Sequence, residues 1–120
     1  MKKLLACLLI CAAVLPAHVM DFTWPERLTV HASGEIKEGD AAQFAALPQF
    51  KKLELDSPGG LVDEALTIAA NMDARGDIRT VVKPGSSCVS ACAIALFVSG
   101  QTRVVHMGGR LGIHSCFMKP

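Results

Sequence analysis

A turn with two adjacent glycines joins a strand-like segment to a helix-like one, and this junction constrains the fold more than any other feature of the sequence. Residues 51–55 have the composition of a short strand, and residues 56–60 (DSPGG) follow with turn formers. Beyond the turn, apolar residues recur at helical spacing from Val62 to Met72. Because glycine has no side chain, this turn can adopt backbone conformations and close contacts that other residues cannot. The pattern predicts a strand, a tight turn and an amphipathic helix in succession.

The same alternation runs along most of the chain. Strand-like runs lie at residues 27–31, 51–55, 79–82, 103–106 and 111–114, and helix-like runs at 41–47, 62–75 and 91–98. Alternating strands and helices predict an α/β domain with a largely parallel sheet, whose functional loops follow the carboxyl ends of the strands. Asp40 is predicted to cap the first helix, and Asp63 and Glu64 to be solvated acids in the first turn of the second.

Composition and charge exclude two classes of protein. The chain has 120 residues, of which 51% are hydrophobic and 19% charged, which argues against a disordered chain and favours a single domain. The formal net charge is +1 and the basic residues form no extended cluster. The chain is therefore not predicted to bind nucleic acid.

The N-terminus has the layout of a secretory signal peptide. Lys2 and Lys3 precede the uncharged run Leu4 to Leu15, and Pro16-Ala17 follows as a candidate cleavage region. The uncharged run is shorter than the roughly 20 residues that a membrane-spanning helix needs. We expect residues 1–17 to be the signal and residues 18–120 to form a periplasmic or secreted domain with no stable membrane span in its mature form.

Three cysteines remain beyond the expected signal, namely Cys88, Cys92 and Cys116. An odd number in an exported protein allows one internal disulfide with one thiol left over, and the sequence leaves the pairing open. These cysteines and His114 are also four potential zinc ligands, but their spacing is not typical of a zinc site. We predict a disulfide and no metal.

Two further positions suit acyl transfer. Ser90 lies where a loop enters an apolar helix, and His114 ends a short apolar strand. A serine hydroxyl attacks a carbonyl carbon when a base such as histidine removes its proton and N–H groups stabilise the oxyanion. Each residue alone is as readily explained as a helix-capping serine or a core histidine.

Taken in order, these motifs make the chain resemble the Clp protease proteolytic subunit within the Clp/crotonase superfamily, and most of all the periplasmic Clp-like proteins of bacteria. The resemblance extends from about Leu28 to the C-terminus. The motifs that carry it are Gly34-Glu35-Ile36, Ser57-Pro58-Gly59-Gly60, Ser90-Ala91-Cys92 and Arg110-Leu111-Gly112-Ile113-His114.

The resemblance implies a spiral of ββα units, with Ser90 as the nucleophile and His114 as its general base. It also implies that the backbone N–H groups of Gly60 and Ala91 form an oxyanion hole, and that a peptide or protein substrate pairs with the segment Gly59–Leu61. Family members need no cofactor for this chemistry. They assemble as rings, trimers or tetramers, so a homo-oligomer is expected.

The sequence departs from the family pattern at two places. Cys92 stands where Clp subunits have a glycine, and no Asp or Glu follows Asp77, although the family takes its third, acidic triad residue from a region after the histidine. Asp56 could approach the site as a substitute acid but is better explained as a capping or turn residue. Lys83, the candidate for a substitute base, lies seven residues before Ser90 across a Pro-Gly break. We therefore expect a C-terminally truncated form of the fold.

Loss of the acid from a serine triad lowers the rate by orders of magnitude without abolishing binding. The sequence predicts a serine peptidase-like hydrolase with an impaired site. The alternative is a noncatalytic periplasmic module of the same fold that binds peptides or assists assembly.

Overall fold

The computed structural model describes residues 20–113, which form a mixed α/β structure with two sheets. The strands are β1 (Asp21–Glu26), β2 (Thr29–Ser33), β3 (Lys52–Asp56), β4 (Arg79–Val82), β5 (Ser87–Val89), β6 (Thr102–Val105) and β7 (Arg110–Gly112). Five strands form one sheet in the order β1-β2-β3-β4-β6, and β5 pairs with β7 in a second sheet. Only β1 is antiparallel to its neighbour; the other pairings are parallel. The predicted signal at 1–17, His114 and Cys116 lie outside the described residues.

Three helical elements pack against the larger sheet. They are α1 (Asp40–Ala45), α2 (Val62–Arg75) and a π-helix (Cys92–Leu96) that continues as a short 3-10 helix (Phe97–Ser99). One buried apolar cluster joins inward residues of β2, β3 and β4 to residues of these helices, including Leu53, Leu55, Ile68 and Phe44. The prediction of an α/β fold is confirmed at the level of its class. No helix among residues 20–113 has the length and apolarity required to cross a bilayer.

β1 is an edge strand at residues 21–26, where the sequence pattern predicts no strand. It pairs with β2, and its aromatic side chains make edge-to-face contacts, Phe22 with Phe44 and Trp24 with Phe50. Most of the strand is exposed, so these ring contacts are its main apolar contacts with the rest of the fold. The partners Phe44 and Phe50 lie more than 20 residues later in the sequence. Local alternation was therefore too weak a signal for this strand.

The prediction that Asp40 caps α1 is wrong. Gly39 occupies the capping position, and Asp40 is the first helical residue. The buried Asp40 carboxylate instead accepts the N–H groups of Lys37 and Met20, at 2.6 and 2.9 Å. Glu64 of α2, expected to be solvated, accepts the N–H groups at the start of α1.

Candidate functional site

Ser90 lies at the junction between β5 and the π-helix, and its backbone is in the left-handed region at φ 58°. This conformation costs a residue with a side chain about 1–2 kcal/mol, so it persists only where neighbouring contacts hold it. The Ser90 N–H donates to the Gly112 carbonyl at 2.9 Å, and the Ser90 carbonyl accepts the Ile94 N–H at 3.0 Å. These bonds contribute to holding Ser90, which is half-buried, at the carboxyl end of β5.

The strand that leads to His114 runs directly beside the strand that leads to Ser90. β5 and β7 are parallel, with Val89 opposite Gly112. Ser90 follows Val89, and the chain passes from Gly112 through Ile113 into His114, which lies outside the described residues. Because loops that follow adjacent parallel strands leave the same edge of a sheet, this topology brings the Ser90 loop to the segment that precedes His114.

The glycine turn of residues 56–60 packs against the serine loop. A side chain at Gly59 would place its Cβ 2.9 Å from the Ser90 Cβ and 3.0 Å from the Ala91 nitrogen, closer than such atoms approach. Gly59 also has a left-handed backbone, at φ 98°. Both the space and the conformation therefore require glycine at this position.

Backbone hydrogen bonds connect the same turn to β5. The Ser57 N–H donates to the Ser87 carbonyl at 2.7 Å, and the Val89 N–H donates to the Ser57 carbonyl at 3.0 Å. The buried Ser57 hydroxyl accepts the Gly59 N–H at 3.1 Å. Serine commonly bonds to the N–H two residues ahead in such turns, so the residue type at position 57 is a signal for this role in the sequence.

The two N–H groups predicted to form an oxyanion hole have no protein acceptor among residues 20–113. Ala91 starts a helical segment, where N–H groups lack intrahelical partners. Gly60 forms an isolated parallel bridge with Ile36. Ile36 bonds to Gly59 and Leu61, so the N–H and C=O of Gly60 face the opposite edge of this segment.

Cys88 and Cys92 form a disulfide that brackets Ser90, and both residues are fully buried. Cys116 lies outside the described residues. A cysteine in a disulfide cannot act as a thiolate ligand, so in this state the pair is not available to zinc. Within residues 20–113, no three His, Cys, Asp or Glu side chains lie together as a metal site would require.

The two charged substitutes considered for the site have other partners. The Lys83 Nζ lies 3.2 Å from the Glu54 Oε1, which also lies 3.2 Å from the His31 Nδ1. The Asp56 carboxylate accepts the Ser87 N–H at 3.0 Å. Lys83 thus neutralises a buried glutamate on the sheet, and Asp56 ties the end of β3 to the start of β5.

No protein-family model matches this chain, and no curated protein or solved structure is significantly similar to it.

Proposed function

We propose that this protein is an exported serine hydrolase of the Clp/crotonase type that acts on extended peptides, with Ser90 as the nucleophile and His114 as the general base. One observation carries the proposal. Ser90 is held in a left-handed backbone conformation against Gly59, and the N–H groups of Gly60 and Ala91 have no acceptor among the described residues. A nucleophile beside two available N–H donors is the arrangement that acyl transfer requires.

The proposed reaction has two steps. The Ser90 Oγ attacks the peptide carbonyl carbon while His114 takes the hydroxyl proton, and the Gly60 and Ala91 N–H groups donate to the oxyanion. The C–N bond then breaks, the amine leaves with the proton from His114, and the peptide acyl group stays on Ser90. Water, deprotonated by His114, hydrolyses this ester and restores the serine.

An extended substrate is supported by the outer edge of the segment Gly59–Leu61. Ile36 occupies the inner edge of this segment, so within residues 20–113 the C=O of Gly60 remains available for main-chain pairing with a peptide, while its N–H serves the oxyanion. Leu61 and Val62 are each about half exposed beside this edge, at 50% and 46%. They offer apolar contact to the side chains of a bound peptide.

The spiral of ββα units is supported by a repeated order of elements. β4 lies in the larger sheet, β5 in the smaller sheet, and a helical segment follows; β6 and β7 then occupy the two sheets in the same order. β3 leads through the Ser57 bridge into α2 in the same way. The glycine turn of one unit thereby lies against the serine loop of the next.

Labelling with a fluorophosphonate probe tests the hydrolase. The purified exported protein is treated with the probe, and the modified residue is located by mass spectrometry. We expect modification of Ser90, its loss in Ser90→Ala, and a large decrease in rate in His114→Ala. Ser99→Ala is the matched control and keeps the label, because the Ser99 hydroxyl bonds to the Ala95 carbonyl within its own helical segment.

If the folded protein is not labelled at Ser90, the proposal that it is a serine hydrolase is wrong. In that case, fluorescence anisotropy of an extended peptide, compared between the wild type and a Leu61→Asp variant, would decide whether the same groove serves a noncatalytic binding module.

A further inference from the structure

The backbone of Ser90 needs an external constraint to stay in its left-handed conformation. Two hydrogen bonds supply part of it, one to the Gly112 carbonyl and one from the Ile94 N–H. The first depends on β7, a strand of three residues that pairs only with β5 among the described strands. Such a short pairing opens readily, so this bond alone is a weak constraint.

The Cys88–Cys92 disulfide constrains the same residues without depending on β7. The two cysteines are four residues apart in sequence, with 5.3 Å between their Cα atoms, and Ser90 is the middle residue of the loop that they close. Neither cysteine is exposed to solvent. The bond therefore limits the backbone rotations available to the loop.

Both ends of this covalent loop are anchored in regular structure. Cys88 lies in β5 and forms a bridge with Ser57 of the glycine turn. Cys92 begins the π-helix, and its carbonyl accepts the Phe97 N–H. The disulfide thus joins the glycine turn, through β5, to the helix that begins directly after Ala91.

We propose that Cys88 and Cys92 are positioning residues for Ser90. Their disulfide holds the serine and the adjacent Ala91 N–H in the geometry that acyl transfer needs, and this inference rests on the proposed function. Clp subunits have a glycine at the position of Cys92. In this chain the cysteine side chain at that position has a function of its own, because it forms the disulfide that positions Ser90. The cysteines act through Ser90 and do not contact the substrate.

The test compares the double variant Cys88→Ala/Cys92→Ala with the wild-type protein. Nonreducing peptide mapping first establishes the bond in the wild type. The rate of Ser90 labelling by the fluorophosphonate probe is then measured, together with the hydrogen exchange of the Ser90 and Ile94 amides and the thermal midpoint. Ile78→Val is the matched control, because it weakens a buried site next to the amino end of β4, away from the serine loop.

We expect the double variant to label about 10- to 100-fold more slowly, because a displaced nucleophile loses its alignment, and to exchange both amides faster. The control should lower the thermal midpoint without changing the labelling rate. Suppose that the wild-type protein is not labelled but the double variant exchanges both amides faster. The proposed hydrolase activity is then wrong, whereas the role of the disulfide in positioning Ser90 is supported.

Unchanged labelling and exchange in a folded double variant would overturn the proposal. So would three free thiols in the wild-type protein. Cys88→Val/Cys92→Ala, which fills more of the vacated volume, is used if the first variant does not fold. If neither variant folds, the disulfide is required for the stability of the whole domain, and the proposal that its role is to position Ser90 is wrong.

Discussion

Gly59 and Gly39 have nearly the same left-handed backbone, at φ 98° and φ 97°, in very different surroundings. A Cβ at Gly59 would meet the Val89 carbonyl oxygen at 2.8 Å as well as the Ser90 Cβ, whereas a Cβ at Gly39 would meet nothing within 4 Å. The two positions therefore separate the cost of backbone conformation from the cost of packing against the serine loop.

We predict that Gly39→Ala lowers the free energy of unfolding by about 1–2 kcal/mol, which is the cost of the backbone conformation alone. Gly59→Ala should lower it by roughly 3 kcal/mol or more, because backbone atoms of the serine loop must also move. Urea denaturation of both variants measures the difference. Equal losses would mean that the turn does not pack closely against Ser90.

At the level of elements, α1 depends on α2 at both of its ends. A helix of six residues is too short to be stable alone. Glu64 accepts the N–H groups of Gly39 and Ala41 at the start of α1. Arg75 donates to the carbonyl groups that end α1 and begin the following loop, namely those of Phe44, Ala45, Leu47 and Pro48.

Arg75 also lies over two aromatic rings, one in α1 and one in the loop that follows it. Its guanidinium carbon lies 4.8 Å from the centroid of the Phe50 ring and 5.5 Å from that of Phe44. Burial lowers the pKa of the Arg75 guanidinium. The carbonyl acceptors and the ring faces compensate for the water that this cation gives up.

We predict that Arg75→Lys lowers the free energy of unfolding by about 1–3 kcal/mol, because an ammonium group cannot bond to as many carbonyls or stack in the same way. Arg103→Lys is the matched control, with a single bond to the Val98 carbonyl at 3.3 Å, and should stay within about 0.5 kcal/mol of the wild type. Chemical denaturation followed by circular dichroism measures both. Similar values for the two variants would contradict the role assigned to Arg75.

At the level of the whole molecule, the larger sheet has a centre and two edges. β3 is the middle strand, with β2 and β4 on either side, and β1 and β6 are the edges among the described strands. All but the ends of β3 is buried, whereas most of β1 and β6 is exposed. Resistance to local opening depends on burial and on pairing with both neighbours. It should therefore be highest for β3 and lowest for β1 and β6.

We predict that native-state hydrogen exchange is slowest for the amides of β3 and fastest, within this sheet, for those of β1 and β6. Mass spectrometry of peptides from the exchanged protein measures the protection of each strand. Protection of β1 equal to that of β3 would contradict this order. It would indicate that the exposed edge is covered in solution, as in an oligomer.

Much of the element order could be predicted from local pattern. Apolar spacing predicts α2 over residues 62–75, and the strand-like run at 79–82 predicts β4 at the residues where it occurs. Periodicity and turn formers are properties of neighbouring residues, so a single sequence contains them. β5 was missed because its three residues are paired to β7, which lies about 20 residues later.

The sequence by itself determined the class of fold, the Gly-Gly turn and the candidate residues Ser90 and His114, because each is a matter of residue type and local spacing. Only the tertiary structure decided that Gly59 packs against Ser90, that Cys88 bonds to Cys92, and which N–H groups at the glycine turn and the serine loop lack an acceptor among residues 20–113. These features depend on how the strands and loops of the two sheets lie beside one another. The physical reason is that strand pairing and close packing join residues far apart in the chain, and no local pattern specifies which of the possible partners will meet.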